Sequence, residues 1–139
     1  MRAKELGMPA LAITDTDNLH GAFEFYLLCK KKWIKPIIGV EVFICEQGQK
    51  YDARDAKVYS LILLAKNFNG YKNLIQLTTK AYLDGNVGSR AQIDFATLEK
   101  YAPDTIALSG DLTSELAQHV VSGKNNAFLL ERIQYYQNV

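Results

Sequence analysis

Between Met8 and Ile44 two short apolar runs stand on either side of a helix-length segment, and this spacing limits the folds open to the chain more than any other feature. Pro9 to Thr14 (PALAIT) is apolar and rich in strand formers, which predicts a buried strand, and Asp15-Thr16-Asp17-Asn18 supplies turn chemistry directly after it. His20 to Lys32 follows helical periodicity. Phe23, Tyr26 and Leu27, with the stem of Lys30, recur at three-and-four spacing, and Lys30, Lys31 and Lys32 collect where the helix dipole is negative. Pro36 stops this helix, and Ile37 to Ile44 is a second strand, apolar apart from Gly39 and Glu41. Upstream, Arg2 to Gly7 reads as the closing turns of a helix terminated by Gly7.

The alternation continues downstream. Glu46 to Lys57 is a polar connection, and Val58 to Ala65 is a third strand interrupted by Ser60. Gly70 to Leu83 is the longest clear helix, with Tyr71, Leu74, Ile75, Thr78 and Tyr82 on one face and a flexible loop, Asp84 to Gly88, behind it. Asp94 to Tyr101 is a short helix capped by Asp94, Asp104 to Ser109 a fourth strand, and two helices, Thr113 to Val121 and Asn125 to Tyr136, are split by Gly123. Such alternation implies an α/β domain with mainly parallel strands, as an open sheet or a barrel. In both layouts chemistry gathers at the carboxyl ends of strands. Asp15, Thr16, Asp17, Ser109 and Asp111 fall there, while Glu41 and Ser60 lie within their strands.

Composition sets outer bounds. With 139 residues, 48% hydrophobic and 22% charged, the chain suits one globular core. A formal net charge of +1 gives no broad footprint for a phosphate backbone, so DNA contact is expected to be local, weak or indirect. Cys29 and Cys45 form no CxxC pair and read as packing residues in a reducing compartment. No apolar run nears the ~20 residues of a membrane span, and a cytoplasmic location is expected. The start inside a helix and the abrupt end predict that residues 1–139 are a single partial domain, truncated at both ends.

A carboxylate inside a buried strand needs a metal, an arginine or backbone donors, which makes Glu41 the sharpest clue; an edge strand that turns Glu41 to water is the simpler alternative. Asp15 can bind a hard cation or cap the following helix, and for both Asp15 and Asp17 capping or turn formation is the plainer role. His20 and His119 are too far apart in the chain to build a zinc or manganese site together, and each reads as a packing or solvent-contacting residue. Lys30 to Lys35 (KKKWIK) mixes basic and aromatic residues as nucleic-acid surfaces do, yet four lysines without a second patch describe a solvated helix end. The glycines make neither a dinucleotide fingerprint nor a phosphate loop, and Ser60, Ser109 and Ser114 lack a histidine base nearby.

Taken in order, RAKELGMPALAITDTDNLHGAFEFY, IKPIIGVEVFI, LILLAKNFNGYKNLIQLTTKAYLDG and RAQIDFATLEKYAPDTIALSGDLTSEL resemble the PHP (polymerase and histidinol phosphatase) domain at the start of bacterial DNA polymerase III alpha subunits. The resemblance covers nearly the whole chain. It implies part of a distorted (β/α)7 barrel with outer helices, in which active members hold a cluster of divalent cations at the strand ends and act as phosphoesterases. The metal-binding histidine of the family's TDHGN turn falls on Thr16, and the histidine before the LLA segment falls on Ser60. The family's GxE glutamate is kept as Glu41, and the cysteine after the ALS strand falls on Asp111. An HxH motif would precede Met1, and a late aspartate and histidine motif would follow Val139.

The resemblance therefore implies a degenerate metal site, with Glu41 and Asp111 as vestigial ligands, no catalytic residue within the chain and no bound cofactor. Zinc, manganese or magnesium is expected only if the site proves functional. The implied role lies in DNA replication, structural or partner-binding, in contact with the rest of the polymerase alpha subunit and with replisome proteins. The rival is a metal-dependent phosphoesterase or 3'-5' proofreading nuclease working through Glu41 and Asp111. A third reading, a small-anion module at the Asp15 to Asn18 helix start, is opposed by the acidic residues there. Strands cut from both sides of a barrel leave open edges, so an isolated fragment is expected to self-associate.

Overall fold

A computed structural model describes residues 2–45, 57–87 and 90–138. Its helices are α1 (Arg2–Glu5), α2 (Ala22–Lys31), α3 (Phe68–Asp84), α4 (Phe95–Tyr101), α5 (Glu115–Val121) and α6 (Asn126–Asn138). Its strands are β1 (Ala10–Thr16), β2 (Lys35–Cys45), β3 (Val58–Ala65), β4 (Asn86–Val87), β5 (Arg90–Ile93) and β6 (Thr105–Leu108). Strands and helices form one mixed α/β sheet structure, open among the described residues, in the order β4-β5-β2-β3-β6 with β1 also on β2.

The long strand β2 is the spine. Its first half pairs in parallel with β1, from Ala10↔Lys35 to Thr16↔Glu41, and its second half pairs in parallel with β5 along the same edge, at Phe43↔Gln92 and Ile44↔Ile93. The other edge carries β3, antiparallel from Gly39↔Leu64 to Cys45↔Val58. Antiparallel pairing also joins β3 to β6 and β4 to β5. The expectation of mainly parallel strands is thus corrected to a mixed sheet. In sequence the connection before Val58 is polar and lacks helical periodicity, and antiparallel neighbours need only a short return where parallel ones need a long crossover. That connection, apart from Lys57, lies outside the described residues.

One face of the sheet holds the main core. Val40, Val42 and Ile44 of β2 stand opposite Leu63, Leu61 and Tyr59 of β3, and all six are buried. Helix α3 covers them with Leu74, Leu77 and Ala81, and α4 adds Phe95 and Leu98. The buried face of α3 therefore runs through Gly70, Leu74, Leu77 and Ala81, while Ile75 and Tyr82, expected inside, are exposed. Asn67 caps α3 by accepting hydrogen bonds from the backbone of Asn69 (2.8 Å) and Gly70 (3.1 Å). Gly70 must be glycine because a Cβ there would sit 2.1 Å from the Asp104 carbonyl oxygen. Truncating Leu74 or Leu77 to alanine in this close-packed layer would cost about 2–5 kcal/mol.

Three further expectations are revised. No residue of β1 is buried, because this strand pairs on one side only and lies at an edge; it also runs through Asp15 and Thr16, which were expected in a turn. In α2 the periodic set Phe23, Tyr26 and Leu27 is exposed, and the buried positions are Ala22 and Cys29, with Phe25 partly buried; Cys29 and Phe25 pack in a satellite core with Ala3, Leu11 and Ile34. Small residues let this helix lie close to the sheet, which periodicity of large residues does not reveal. The region expected to be a flexible loop holds β4 at Asn86–Val87, paired with β5; Gly88 lies outside the described residues.

Elsewhere the sequence cues act as expected. Gly7 closes α1 at φ 68°, Asp94 caps α4 by accepting from the Thr97 backbone at 2.7 Å, and Gly123 separates α5 from α6 at φ 72°. Cys29 and Cys45 are buried free thiols, and Cys45 donates to Gln92 Oε1 at 2.7 Å. Burial, with Asp94 nearby, pushes the Cys45 thiol above its ordinary pKa, as suits an unreactive packing residue.

Candidate functional site

The opposite face of the sheet brings the sequence-selected residues together. In the ladders Thr16 stands beside Glu41, Glu41 beside Ile62, and Ile62 beside Leu108, while Ser60 lies two residues before Ile62 on the same side of β3. A hollow of about 520 Å³ opens here, lined by Glu41, Ile62, Leu108, Ser109, Gly110 and Asp111 among others. Glu41 and Asp111 thus share one cavity, although they are 70 residues apart in the chain.

Each carboxylate is held by hydroxyl groups. Thr16 Oγ1 donates to Glu41 Oε2 at 2.7 Å, so the partner that a strand-interior glutamate needs is a neutral hydroxyl on the adjacent strand. Asp111 Oδ1 accepts from both the backbone and the hydroxyl of Thr113, each at 2.7 Å. These two bonds hold the Asp111 carboxyl below its ordinary pKa. Ser60 Oγ lies 2.7 Å from Thr113 Oγ1. Thr113 has a single hydroxyl proton and gives it to Asp111, which leaves Ser60 as the donor in that pair. A directed relay therefore runs from Ser60 through Thr113 to Asp111. Gly110, at φ 73°, turns the chain so that Asp111 comes back toward β3, and the Ser60 backbone donates to the Thr113 carbonyl at 3.1 Å.

The acidic turn after β1 is built differently from a cation cage. Asp15 accepts from the Gly21 backbone at 3.0 Å just ahead of α2, and since α2 has no side-chain cap, Asp15 holds the turn rather than capping the helix. Asp17 adopts a left-handed φ of 61°, and its backbone donates to the Glu41 carbonyl at 2.9 Å. It sits where β1 leaves the edge of β2 and β5 takes over, and its carboxylate accepts a hydrogen bond from the Ala91 backbone near Arg90. Burial raises the Asp17 carboxyl above its ordinary pKa, Arg90 and the Ala91 bond pull against this, and Glu41 adds to the rise. His20 is exposed, and its backbone donates to Asn18 Oδ1 at 2.9 Å. His119 is buried between Tyr59 and Phe128, outside the lining of the hollow. Among the described residues, no three His, Cys, Asp or Glu side chains form a group that could hold a metal ion.

Sequence reasoning passed over Thr113, the hinge of the relay, although Asp111-Leu-Thr113 has the spacing at which an Asp side chain binds the backbone two residues on. It also passed over Arg90, which lies in a strand too short to register as one.

Comparison with known proteins supplies the family. The sequence model of the PHP domain matches residues 1–139. The chain belongs to the PHP domain family. This PHP chain is similar to DNA polymerase III subunit alpha of Chlamydia pneumoniae, 39% identical over 142 residues that cover 99% of the chain and 11% of that protein. The same subunit of Vibrio cholerae is 41% identical over 133 residues, 95% of the chain and 11% of the relative, and that of Thermus aquaticus is 40% identical over 121 residues, 84% and 10%. The chain spans about a tenth of the length of the curated relatives it matches. No helix among the described residues is long and apolar enough to cross a membrane.

Proposed function

We propose that this PHP chain serves DNA replication as a structural and contact-making part of a polymerase alpha subunit, with a metal site that has become degenerate. The observation that carries the reading is the hydrogen bonding of its two remaining acidic positions. Glu41 is engaged by Thr16, and Asp111 through Thr113 by Ser60. Thr16 and Ser60 are the positions at which the family resemblance places imidazole ligands. A hydroxyl proton pointed at a carboxylate does the work of a cation in satisfying it, without a metal. The donor set does not fit a divalent cluster, and no chemical step is routed through one.

Half-exposed Leu108 (44%), in the lining of the hollow, supports a second part of the reading. The part of this face around the hollow lines the distorted (β/α)7 barrel, closed by further strands of the polymerase chain, since apolar sheet faces need cover. The rest of the alpha subunit is then the first partner, and replisome proteins reach the domain from outside.

Metal analysis by plasma mass spectrometry after dialysis against zinc and manganese tests the proposal. The expected result is substoichiometric metal and a melting temperature that chelator does not move; several metals per chain would sink it. The shared hollow around Glu41 and Asp111 favours one rival, a metal-dependent phosphoesterase or proofreading nuclease. A nuclease assay on Glu41→Ala and Asp111→Ala separates the two: background activity unchanged in both variants removes the rival, and its loss in both establishes it.

A further inference from the structure

The aromatic stripe of α2, which faces away from the core, borders a groove that the reading above does not use. Phe23 and Tyr26 stand one helical turn apart on α2, and Phe68 and Tyr71 repeat that spacing on α3. All four line a groove of about 650 Å³ between the two helices, with an aliphatic floor from β2 and β3. Phe23 is 73% exposed and Phe68 67%, which is costly for side chains with nothing to cover them. Phe68 and Tyr71 lie with ring centroids 6.2 Å apart and planes inclined by only 31°, so their faces form a shallow step.

The charges at the groove have one sign. Lys35 and Lys66 line it, no acidic side chain does, and Lys72 holds its ammonium 4.8 Å above the Phe68 ring. The chain as a whole is nearly neutral, so this local excess is a property of the groove. Flat apolar rings set between cations are complementary to a polymer that carries flat π faces and regularly spaced anions. An acidic peptide would satisfy the lysines, but its side chains would not use the two aromatic walls.

We propose that the groove between α2 and α3 is a binding site for single-stranded DNA, with bases stacking on Phe23, Tyr26, Phe68 and Tyr71 and phosphates facing Lys35 and Lys66. Binding is local and independent of the hollow around Glu41, so it stands whether or not that site holds metal.

The test is fluorescence anisotropy of the full chain with a labelled oligothymidylate of about 12 nucleotides, a length within the span of known single-strand sites. Phe23→Ala and Phe68→Ala should each weaken binding roughly tenfold, the scale of losing one stacked base. Lys35→Gln and Lys66→Gln should each flatten the salt dependence by about 0.7 in slope. An abasic strand of equal length should bind at least tenfold more weakly than oligothymidylate. Equal binding of the abasic strand, retention of full affinity by Phe68→Leu, or stronger binding of an oligoglutamate peptide would overturn the proposal. Titration of the unmutated chain followed by amide chemical shifts needs no variant to fold. Shifts gathered on α2 and α3 support the site, and shifts confined to other elements refute it.

Discussion

Glu41 and Glu115 are both drawn into the fold, and they are held in opposite ways. Glu41, on the open face, is half-buried and takes one hydroxyl from Thr16. Glu115, at the start of α5, is 5% exposed, and its Oε2 accepts from Arg132 at 2.8 Å and from Tyr136 at 2.7 Å, while His119 Nε2 lies 3.5 Å from Oε1. The Arg132 guanidinium is buried too, stacked 4.8 Å from the Phe95 ring and 4.7 Å from that of Tyr135. Its Nε has no hydrogen-bond partner among the described residues, and the surrounding aromatic faces provide the remaining stabilisation. The lesson is that a carboxylate's place in a strand says less about its constraint than the donors that converge on it. The residue that looks functional in the sequence is lightly held, and the residue that looks like an ordinary first-turn glutamate anchors the α5–α6 pair to the core.

Removing each carboxylate gives the largest expected contrast. Glu115→Ala strands a buried guanidinium and should cost about 3–5 kcal/mol in urea unfolding. Glu41→Ala frees a hydroxyl that water can reach, since Thr16 is exposed, and should cost no more than about 1 kcal/mol. Equal losses for the two variants would erase the distinction.

A smaller effect sharpens the same contrast through pH. Burial, reinforced by the Glu115 carboxylate, pushes the Tyr136 phenol well above its ordinary pKa. Below about pH 10 the folded and unfolded chains both keep this proton; above it only the unfolded chain releases it, so stability falls as pH rises. One such group contributes a slope of up to about 1.4 kcal/mol per pH unit. Tyr136→Phe should flatten the loss between pH 10 and 11, measured by denaturant melts (about one pH unit, hence one such increment). Thr16→Val, on the hollow side, should leave the alkaline limb unchanged. A parent chain with no alkaline loss would show that burial beside Glu115 does not raise the phenol.

The two regions also differ in how far the sequence disclosed them. Strand β3 and the cap at Asp94 were legible because an apolar run and a carboxylate before a short helix are local signals. Glu41, Thr16, Ser60 and Asp111 could be picked out by motif, and the structure brings them to one face. What stayed hidden is what depends on partners distant in sequence. Glu115 and Arg132 are 17 residues apart on different helices, and neither carries a sign of burial in its own neighbourhood. The antiparallel return of β3 and the exposure of Phe23 and Tyr26 were missed for the same reason, since sheet pairing decides both.

The smallest expected effect lies at Asp17, which joins the hollow to the sheet. The family's TDHGN turn has glycine at this position, and here a side chain is carried at φ 61°, a conformation that asparagine tolerates as well as aspartate does. Because burial raises the Asp17 carboxyl, the ionised form is the one the fold disfavours. Its favourable contribution is present when the group is protonated and is lost as pH rises through the folded value. Asp17→Asn keeps an acceptor for the Ala91 backbone and removes the charge beside Glu41. It should therefore stabilise the chain at pH 7, by less than about 1 kcal/mol because solvent screens a half-exposed group. The gain should vanish below about pH 4, where aspartate is itself neutral. Thermal melts at the two pH values measure it, and a loss of stability at pH 7 would mean that Arg90 outweighs burial at the junction of β1 and β5.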